Sequence, residues 1–254
     1  MQFPVEIHFG SFQLSLHVLL ETLAFMIGFR YFLYLRKSQA DSISEKNRLW
    51  IIVGATFGAF FFSRLVGSLE DPVAFYHSEH PFIYFFANKT ILGGLLGGLF
   101  MVELTKKIIG ETSSSGDLFT YPLILAMIIG RIGCFANGVY ESTYGIETTF
   151  ITGMDLGDGL FRHPVALYEI GFLVLLWIGL VWLEKHIQLA SGCRFQFFMI
   201  AYLLFRFGID FIKPGSKYFL GLGTIQICCL LGLIYYSNTI FKIIFTPSTI
   251  KASE

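Results

Sequence analysis

Charged side chains are scarce in this 254-residue sequence: 14% of the residues are Asp, Glu, Lys or Arg, against roughly 25% in soluble domains. The four cysteines form no Cys-x-x-Cys pair and no Cys/His cluster, which argues against a disulfide framework and a zinc site. The sequence has no basic block and no nucleotide-binding loop. We therefore expect no nucleic-acid partner, no metal and no cofactor.

Hydrophobic residues make up 54% of the chain, and they are grouped in runs of about 20 residues without a polar stripe. The N-terminal residues lack the positively charged region of a cleavable signal peptide, so we expect the first run to remain as a membrane anchor. The sequence predicts an all-α fold, a polytopic membrane helical bundle with about seven transmembrane helices, in a single domain over 1–254. The predicted spans are 12–35, 49–69, 90–109, 117–137, 165–183, 195–213 and 219–241.

The distribution of Lys and Arg predicts the orientation of these spans. Ten of these residues follow the first, third, fifth or seventh span, and four lie in the segments on the opposite side. Because cytoplasmic segments are enriched in Lys and Arg, the N-terminus is expected outside and the C-terminus in the cytoplasm.

The remaining four basic residues lie inside predicted spans, and all four are arginines: Arg30, Arg64, Arg131 and Arg206. A charge at the centre of a membrane helix costs at least about 2.5 to 3.5 kcal/mol, so such residues are usually paired, water-facing or functional. A guanidinium that keeps its proton and donates through a planar fork suits bidentate binding of phosphate or carboxylate.

Some of these intramembrane charges have simple structural interpretations. Arg30 lies close to the end of its span and is expected to reach the membrane interface. For Arg64, a structural pair with Glu70 or Glu21 and a functional role are equally open. Glu103 is expected to be the partner of a buried arginine.

Arg131 and Arg206 each lie in a local pattern of their own. Arg131 belongs to the glycine-rich stretch 130–138, which also contains Asn137 and Gly138. Glycines allow the backbone to approach a bulky ligand closely, although small residues also serve helix packing in membranes. Tyr202, Arg206 and Asp210 are four residues apart and so share one helix face. An intrahelical ion pair of Arg206 with Asp210 is the simpler alternative, but Tyr202 extends the row of polar residues on this face beyond what an ion pair needs.

Two more segments carry polar or small residues in a pattern. Arg162 and His163 precede Pro164 and are expected at the headgroup level where the fifth span begins. An interfacial histidine is either an anchor or a base, since its intrinsic pKa near 6.5 permits both. Gly93 and Gly94 open two glycine pairs in the third span, for which close helix packing is the simpler interpretation.

With these motifs, the chain resembles the prolipoprotein diacylglyceryl transferases of the bacterial inner membrane. The stretch 130–138 is similar to the family signature Gly-Arg-x-Gly-Asn-Phe-x-Asn-Gly. Segments 162–169 and 202–210 match further motifs in family order, and 223–226 resembles the family's Gly-Gln element. The sequence departs from the family at Leu92, where a histidine is usual in the third span, and at Cys134 and Val139 in the signature.

The resemblance implies transfer of the diacylglyceryl group of phosphatidylglycerol to the lipobox cysteine thiol of a preprolipoprotein, with release of glycerol 1-phosphate and formation of a thioether. The partners would be phosphatidylglycerol, the preprolipoprotein signal peptide and membrane lipid, and the protein is expected to be a monomer. The reaction needs a thiolate, because only the anion is a strong nucleophile, and positive charge where the phosphate leaves.

The resemblance assigns the arginines to headgroup binding or leaving-group stabilisation. With Leu92 in place of the usual histidine, the base is sought among His163, Glu141 and Glu21, and His163 is preferred. The predicted catalytic residues are Arg131, Arg206, His163 and Glu141. The predicted substrate-binding residues are Asn137, Gly138, Tyr202, Glu169, Gly93, Gly94 and Glu21.

Two other functions remain open at this point. Leu92 and Val139 are compatible with a non-catalytic or altered-acceptor relative that binds phospholipid. A transporter is a weaker alternative, because the sequence shows no inverted halves with matching broken helices.

The predicted orientation can be tested with alkaline phosphatase fusions in a bacterial host. Fusions within 138–164 should be active, because this segment is expected outside, and fusions within 110–116 should be inactive. The reverse pattern of activity would invert the orientation.

Overall fold

The computed structural model describes residues 3–9, 12–39, 41–218 and 220–245. Ten α-helices account for most of this part of the chain, and two short 3-10 turns, Gly138–Tyr140 and Asp210–Ile212, follow α6 and α8. The α-helices are α1 Leu16–Ser38, α2 Glu45–Ser68, α3 Pro72–Tyr76, α4 Pro81–Ala87, α5 Ile91–Ile109, α6 Asp117–Asn137, α7 Val165–His186, α8 Cys193–Ile209, α9 Thr224–Tyr235 and α10 Ser237–Phe245.

Five spans are straight helices that are long and apolar enough to cross a membrane, and two further bent pairs raise the number to seven. The straight ones include α1, α2, α6, α7 and α8. In the third span, α4 meets α5 at 92°, and in the last, α9 meets α10 at 64°. The chain is therefore a multi-pass helical membrane protein, as predicted.

The last span differs from the single helix expected over 219–241, of which residue 219 lies outside the described residues. The helix bends at Tyr236, and α9 has 12 residues, or about 18 Å at 1.5 Å per residue. This length is well short of a hydrocarbon core of about 30 Å. Apolar composition alone marks the segment as membrane-embedded, but it does not reveal a bend.

Two short antiparallel hairpins were not predicted. Strand β1, Glu6–Phe9, pairs with β2, Phe12–Ser15, directly before α1. Strand β3, Met154–Asp155, pairs with β4, Phe161–Arg162, in the long loop before α7. The amide of Val5 donates to the Ala136 carbonyl at 2.8 Å, so the first hairpin is attached to the end of α6.

Helix α6 lies at the centre of the bundle. It packs against α1, α7 and α8, whereas α2 and α5 form a second closely packed pair. This arrangement brings residues from three neighbouring helices to the C-terminal half of α6. Buried polar residues from α6, α7 and α8, among them Arg131, Glu169 and Arg206, meet near the end of α6.

Glycines determine how closely α2 and α5 approach. A Cβ at Gly97 would overlap Phe62, and a Cβ at Gly58 would overlap the Gly97 carbonyl, each far inside van der Waals distance. A Cβ at Gly98 would meet nothing nearer than 3.6 Å. Gly97 therefore makes the contact between the two helices, and the adjacent Gly98 does not.

This difference predicts opposite effects of two adjacent substitutions. Gly97→Ala should destabilise the protein by about 1–3 kcal/mol through overpacking. Gly98→Ala should be neutral or stabilise by up to about 1 kcal/mol, because alanine is the better helix former. Thermal unfolding of the purified variants in one detergent measures both, and equal melting temperatures would contradict the packing account.

Candidate active site

The buried carboxylate of Glu169 connects α6, α7 and α8. Its Oε1 atom lies 2.9 Å from Arg131 Nε and accepts a hydrogen bond from the Tyr202 hydroxyl at 2.9 Å. Its Oε2 atom lies 3.8 Å from Arg206 Nη1. Glu169 and Tyr202 are fully buried, and the two arginines are 6% and 4% exposed. Two guanidinium groups from different helices therefore face one carboxylate inside the bundle.

The hydrogen bonding of this ion pair is incomplete. Among the described residues, Arg131 Nε and Glu169 Oε2 have no hydrogen-bond partner of good geometry, although each lies beside an opposite charge. A buried donor without an aligned acceptor is unfavourable. Arg131 therefore retains donor capacity that an anionic ligand could satisfy.

The polar residues continue from Arg206 towards the end of α8. Arg206 Nη2 lies 3.8 Å from Asp210 Oδ1, and Lys217 Nζ lies 3.5 Å from Asp210 Oδ2. Lys217 also donates to Gln226 Oε1 at 3.3 Å, and the amide of Gly223 donates to the same oxygen at 2.9 Å. The pair of Arg206 with Asp210 is present, but as part of a larger network.

The network carries an excess of positive charge. Three cations, Arg131, Arg206 and Lys217, face two carboxylates, Glu169 and Asp210. One positive charge is left over, which matches the single negative charge of a phosphodiester. In a site of low dielectric, such a charge interacts more strongly with an anion than it would in water.

Two titratable groups outside the spans border this network. Burial raises the pKa of Glu70 above its usual value. Burial and the nearby Arg206 guanidinium lower the pKa of Lys213 to about 8. The shift of Glu70 favours its neutral form, and Lys213 loses its proton more readily than a free lysine does.

A second polar group lies between α1 and the loop that follows α6. His17 Nε2 lies 3.6 Å from Glu141 Oε2 and 3.8 Å from Glu21 Oε2. Lys89 Nζ contacts Glu21 Oε1 at 2.5 Å, and Asn137 Nδ2 donates to Glu141 at 3.5 Å. The structure thus brings together Glu21, Glu141 and Asn137, three predicted site residues, around a histidine that the sequence analysis did not consider.

Cys134 joins the two polar groups. Its sulfur lies 3.7 Å from Arg131 Nη1, and its side chain adjoins the His17 ring. Cys134 also lines a narrow crevice of about 10 Å³ between the end of α6 and the start of α7, which is room for about one water molecule. The predicted residues on α1, α6, α7 and α8 therefore form one continuous polar site.

Comparison with known proteins identifies the family. The family model for prolipoprotein diacylglyceryl transferase matches residues 4–242. The chain belongs to this family. The match includes every residue of the polar site.

Individual relatives carry the name phosphatidylglycerol–prolipoprotein diacylglyceryl transferase. One from Bordetella bronchiseptica is 31% identical over 180 residues, which are 68% of this chain and 64% of the relative. One from Nitratidesulfovibrio vulgaris is 27% identical over 223 residues, covering 83% of this chain and 80% of the relative. The match thus spans slightly less than two thirds of the Bordetella protein.

His163 lies apart from the arginines and Glu169 in this member of the diacylglyceryl transferase family. Its Nδ1 atom lies 3.1 Å from the Tyr168 hydroxyl, and its ring packs near Phe150. Among the described residues, it makes no hydrogen bond or ion pair with the arginines or with Glu169. Its interactions are those of an anchor for the loop before α7, and its role as a base stays a prediction.

The glycines among the predicted site residues have structural roles. A Cβ at Gly93 would overlap the Phe62 carbonyl of α2, whereas a Cβ at Gly94 would meet nothing nearer than 3.7 Å. Gly138 has a φ of +59°, and a Cβ there would overlap the Leu156 carbonyl. Packing and backbone conformation thus require glycine at Gly93 and Gly138. Their predicted contact with substrate stays a prediction.

One structural pair expected from the sequence is wrong, and another that the sequence left open does not form. Glu103 is exposed and lies 3.4 Å from Lys106 on its own helix, so it is not the partner of a buried arginine. Arg64 lies over the Phe60 ring at 3.9 Å, and among the described residues it forms no ion pair with Glu70 or Glu21. This cation contacts an aromatic ring and donates to the Phe60 carbonyl and the Ser63 hydroxyl, instead of pairing with a carboxylate.

The central position of Glu169 predicts a large effect of its neutralisation. Glu169→Gln should destabilise the protein by about 3–5 kcal/mol, because two buried guanidinium groups lose their shared counter-charge. Tyr202→Phe removes one hydrogen bond and should cost about 1–2 kcal/mol. Chemical unfolding of both purified variants tests this ranking, and a Glu169→Gln protein as stable as the wild type would contradict it.

Proposed function

We propose that this chain transfers the diacylglyceryl group of phosphatidylglycerol to the lipobox cysteine thiol of a preprolipoprotein, forming a thioether and releasing glycerol 1-phosphate. Membership of the transferase family supports the reaction. The observation that carries the proposal is the pair of buried guanidinium groups, Arg131 and Arg206, held on opposite sides of Glu169.

The proposed role of this pair is to bind the phosphate and stabilise it as it leaves. In the reaction, the thiolate attacks the glycerol carbon that carries the phosphate, and the C–O bond breaks. Negative charge grows on the leaving phosphate oxygen, so donors fixed near it stabilise the transition state more than the ground state. The incompletely bonded Arg131 and the excess positive charge of the network fit this requirement.

The proposed setting follows from the same reaction. We propose that phosphatidylglycerol and the signal peptide meet at the outer face of a bacterial inner membrane, the face near which the polar site would lie in the predicted orientation. We propose that one copy of the chain is sufficient, because α1, α6, α7 and α8 of a single chain supply the whole site.

Replacing the arginines tests this function. Purified protein is incubated with labelled phosphatidylglycerol and a lipobox peptide, and mass spectrometry measures the added diacylglyceryl mass. Arg131→Gln and Arg206→Gln should each reduce kcat by at least about 10²-fold, the usual effect of removing one fixed donor to a developing anion. The matched control Arg30→Gln, an exposed arginine in α1, should retain activity.

A wild-type protein that transfers no diacylglyceryl group, and that also fails to rescue a transferase-depleted cell, would contradict the proposal. An equal reduction of kcat in the Arg30 control and in the two site variants would show that loss of any arginine impairs the membrane protein, and not the loss of a specific site.

A non-catalytic phospholipid-binding protein is the second candidate, and one observation favours it. Leu92 stands where a histidine is usual in the family, and it is 1% exposed within the hydrophobic core. No proton can be transferred at that position. Phosphatidylglycerol that binds in an Arg131-dependent way but is never turned over would support this alternative.

A further inference from the structure

His17 is held against α6 by the close approach of two helices. It is the second residue of α1, and its side chain is 11% exposed. A Cβ at Gly133 would lie 3.2 Å from the His17 carbonyl, so glycine at this position lets the backbone of α1 pass directly over α6. The ring therefore has a fixed position beside Cys134.

The carboxylates around His17 favour one arrangement of its proton. Glu141 and Glu21 both lie on the Nε2 side of the ring, at 3.6 and 3.8 Å. A neutral imidazole carries one N–H, and nearby negative charge favours its position on Nε2. Nδ1 then presents a lone pair, and this buried atom has no hydrogen-bond partner of good geometry among the described residues, although the Cys134 thiol adjoins the ring. Carboxylates beside one ring nitrogen and a thiol beside the ring resemble the arrangement of an oriented base.

The arrangement of Cys134 shows that a sulfur atom fits between His17 and the arginines. The Cys134 sulfur adjoins the His17 ring and lies 3.7 Å from Arg131 Nη1. A substrate thiol that displaced the Cys134 side chain would have the ring on one side and the Arg131 guanidinium on the other. His163, in contrast, bonds to Tyr168 and faces the loop.

We propose that Nδ1 of His17 accepts the proton of the acceptor cysteine thiol, a role that rests on the proposed transferase function. The S–H bond breaks and the proton moves to Nδ1. The sulfur electron pair then forms the C–S bond at the glycerol carbon, and the C–O electron pair leaves with glycerol phosphate. Glu141 and Glu21 stabilise the imidazolium that forms, and the proton later passes to solvent.

The charged and titratable groups facing this ring come from three elements. Glu21 lies on α1, Cys134 on α6 and Glu141 in the loop after α6, and Lys89 reaches the ring only through Glu21. Two carboxylates stand nearest the ring, and the single lysine neutralises one of them. The surroundings therefore stabilise the imidazolium, as a proton acceptor requires.

The test measures kcat and KM across pH for the full-length protein, with phosphatidylglycerol and the lipobox peptide. His17→Gln should lower kcat by on the order of 10²–10⁴-fold at neutral pH, the usual contribution of a general base. Its remaining rate should rise about tenfold per pH unit up to about pH 8.5, because the free thiol then ionises without help. The control His186→Gln, an exposed histidine at the far end of α7, should behave as the wild type.

The pH profile separates a lost base from a damaged fold. A His17→Gln protein that is equally inactive at every pH, or that retains at least a tenth of the wild-type kcat, overturns the proposal. The proposal is also overturned when His163→Gln alone shows the loss that is relieved at high pH. An inactive wild type overturns the transferase function itself, whereas an active wild type with an active His17→Gln variant overturns only the role of His17.

Discussion

The ionic contact of Glu169 with two arginines is the constraint on which the rest of the site depends. A carboxylate and two guanidinium groups cannot be buried separately in an apolar bundle, because each would lose its hydration without compensation. Their mutual attraction fixes α7 against α6 and α8. It also keeps two cations together at one buried position, and the same contacts thus serve both the fold and the proposed chemistry.

The fold could be predicted well wherever composition alone decides the outcome. Runs of apolar residues indicate the membrane spans, and α1, α2 and α5 to α8 lie close to their predicted positions. The bends before α5 and after α9 could not be predicted. A run of apolar residues is compatible with either a straight or a broken span, because its composition does not determine how short helices pack.

Within the site, the sequence indicated the residues with a strong local pattern and missed those defined by long-range contacts. Arg131, Tyr202, Arg206 and Glu169 lie in recognisable motifs, and the structure brings them together. His17 has no motif, and only the packing of α1 on α6 places it beside Cys134. Glu21 and Glu141 both approach the His17 ring, and the spacing of these residues in the sequence could not indicate this.

The central claim is that Arg131 and Arg206 exchange part of their interaction with Glu169 for a lipid phosphate. An experimental structure of the protein in lipid bilayers that contain phosphatidylglycerol tests this directly. The account predicts a phosphate group within hydrogen-bonding distance of both guanidinium groups, with its glycerol carbon facing His17 and Cys134. A phosphatidylglycerol molecule bound elsewhere, with both arginines still directed only at Glu169, would contradict it.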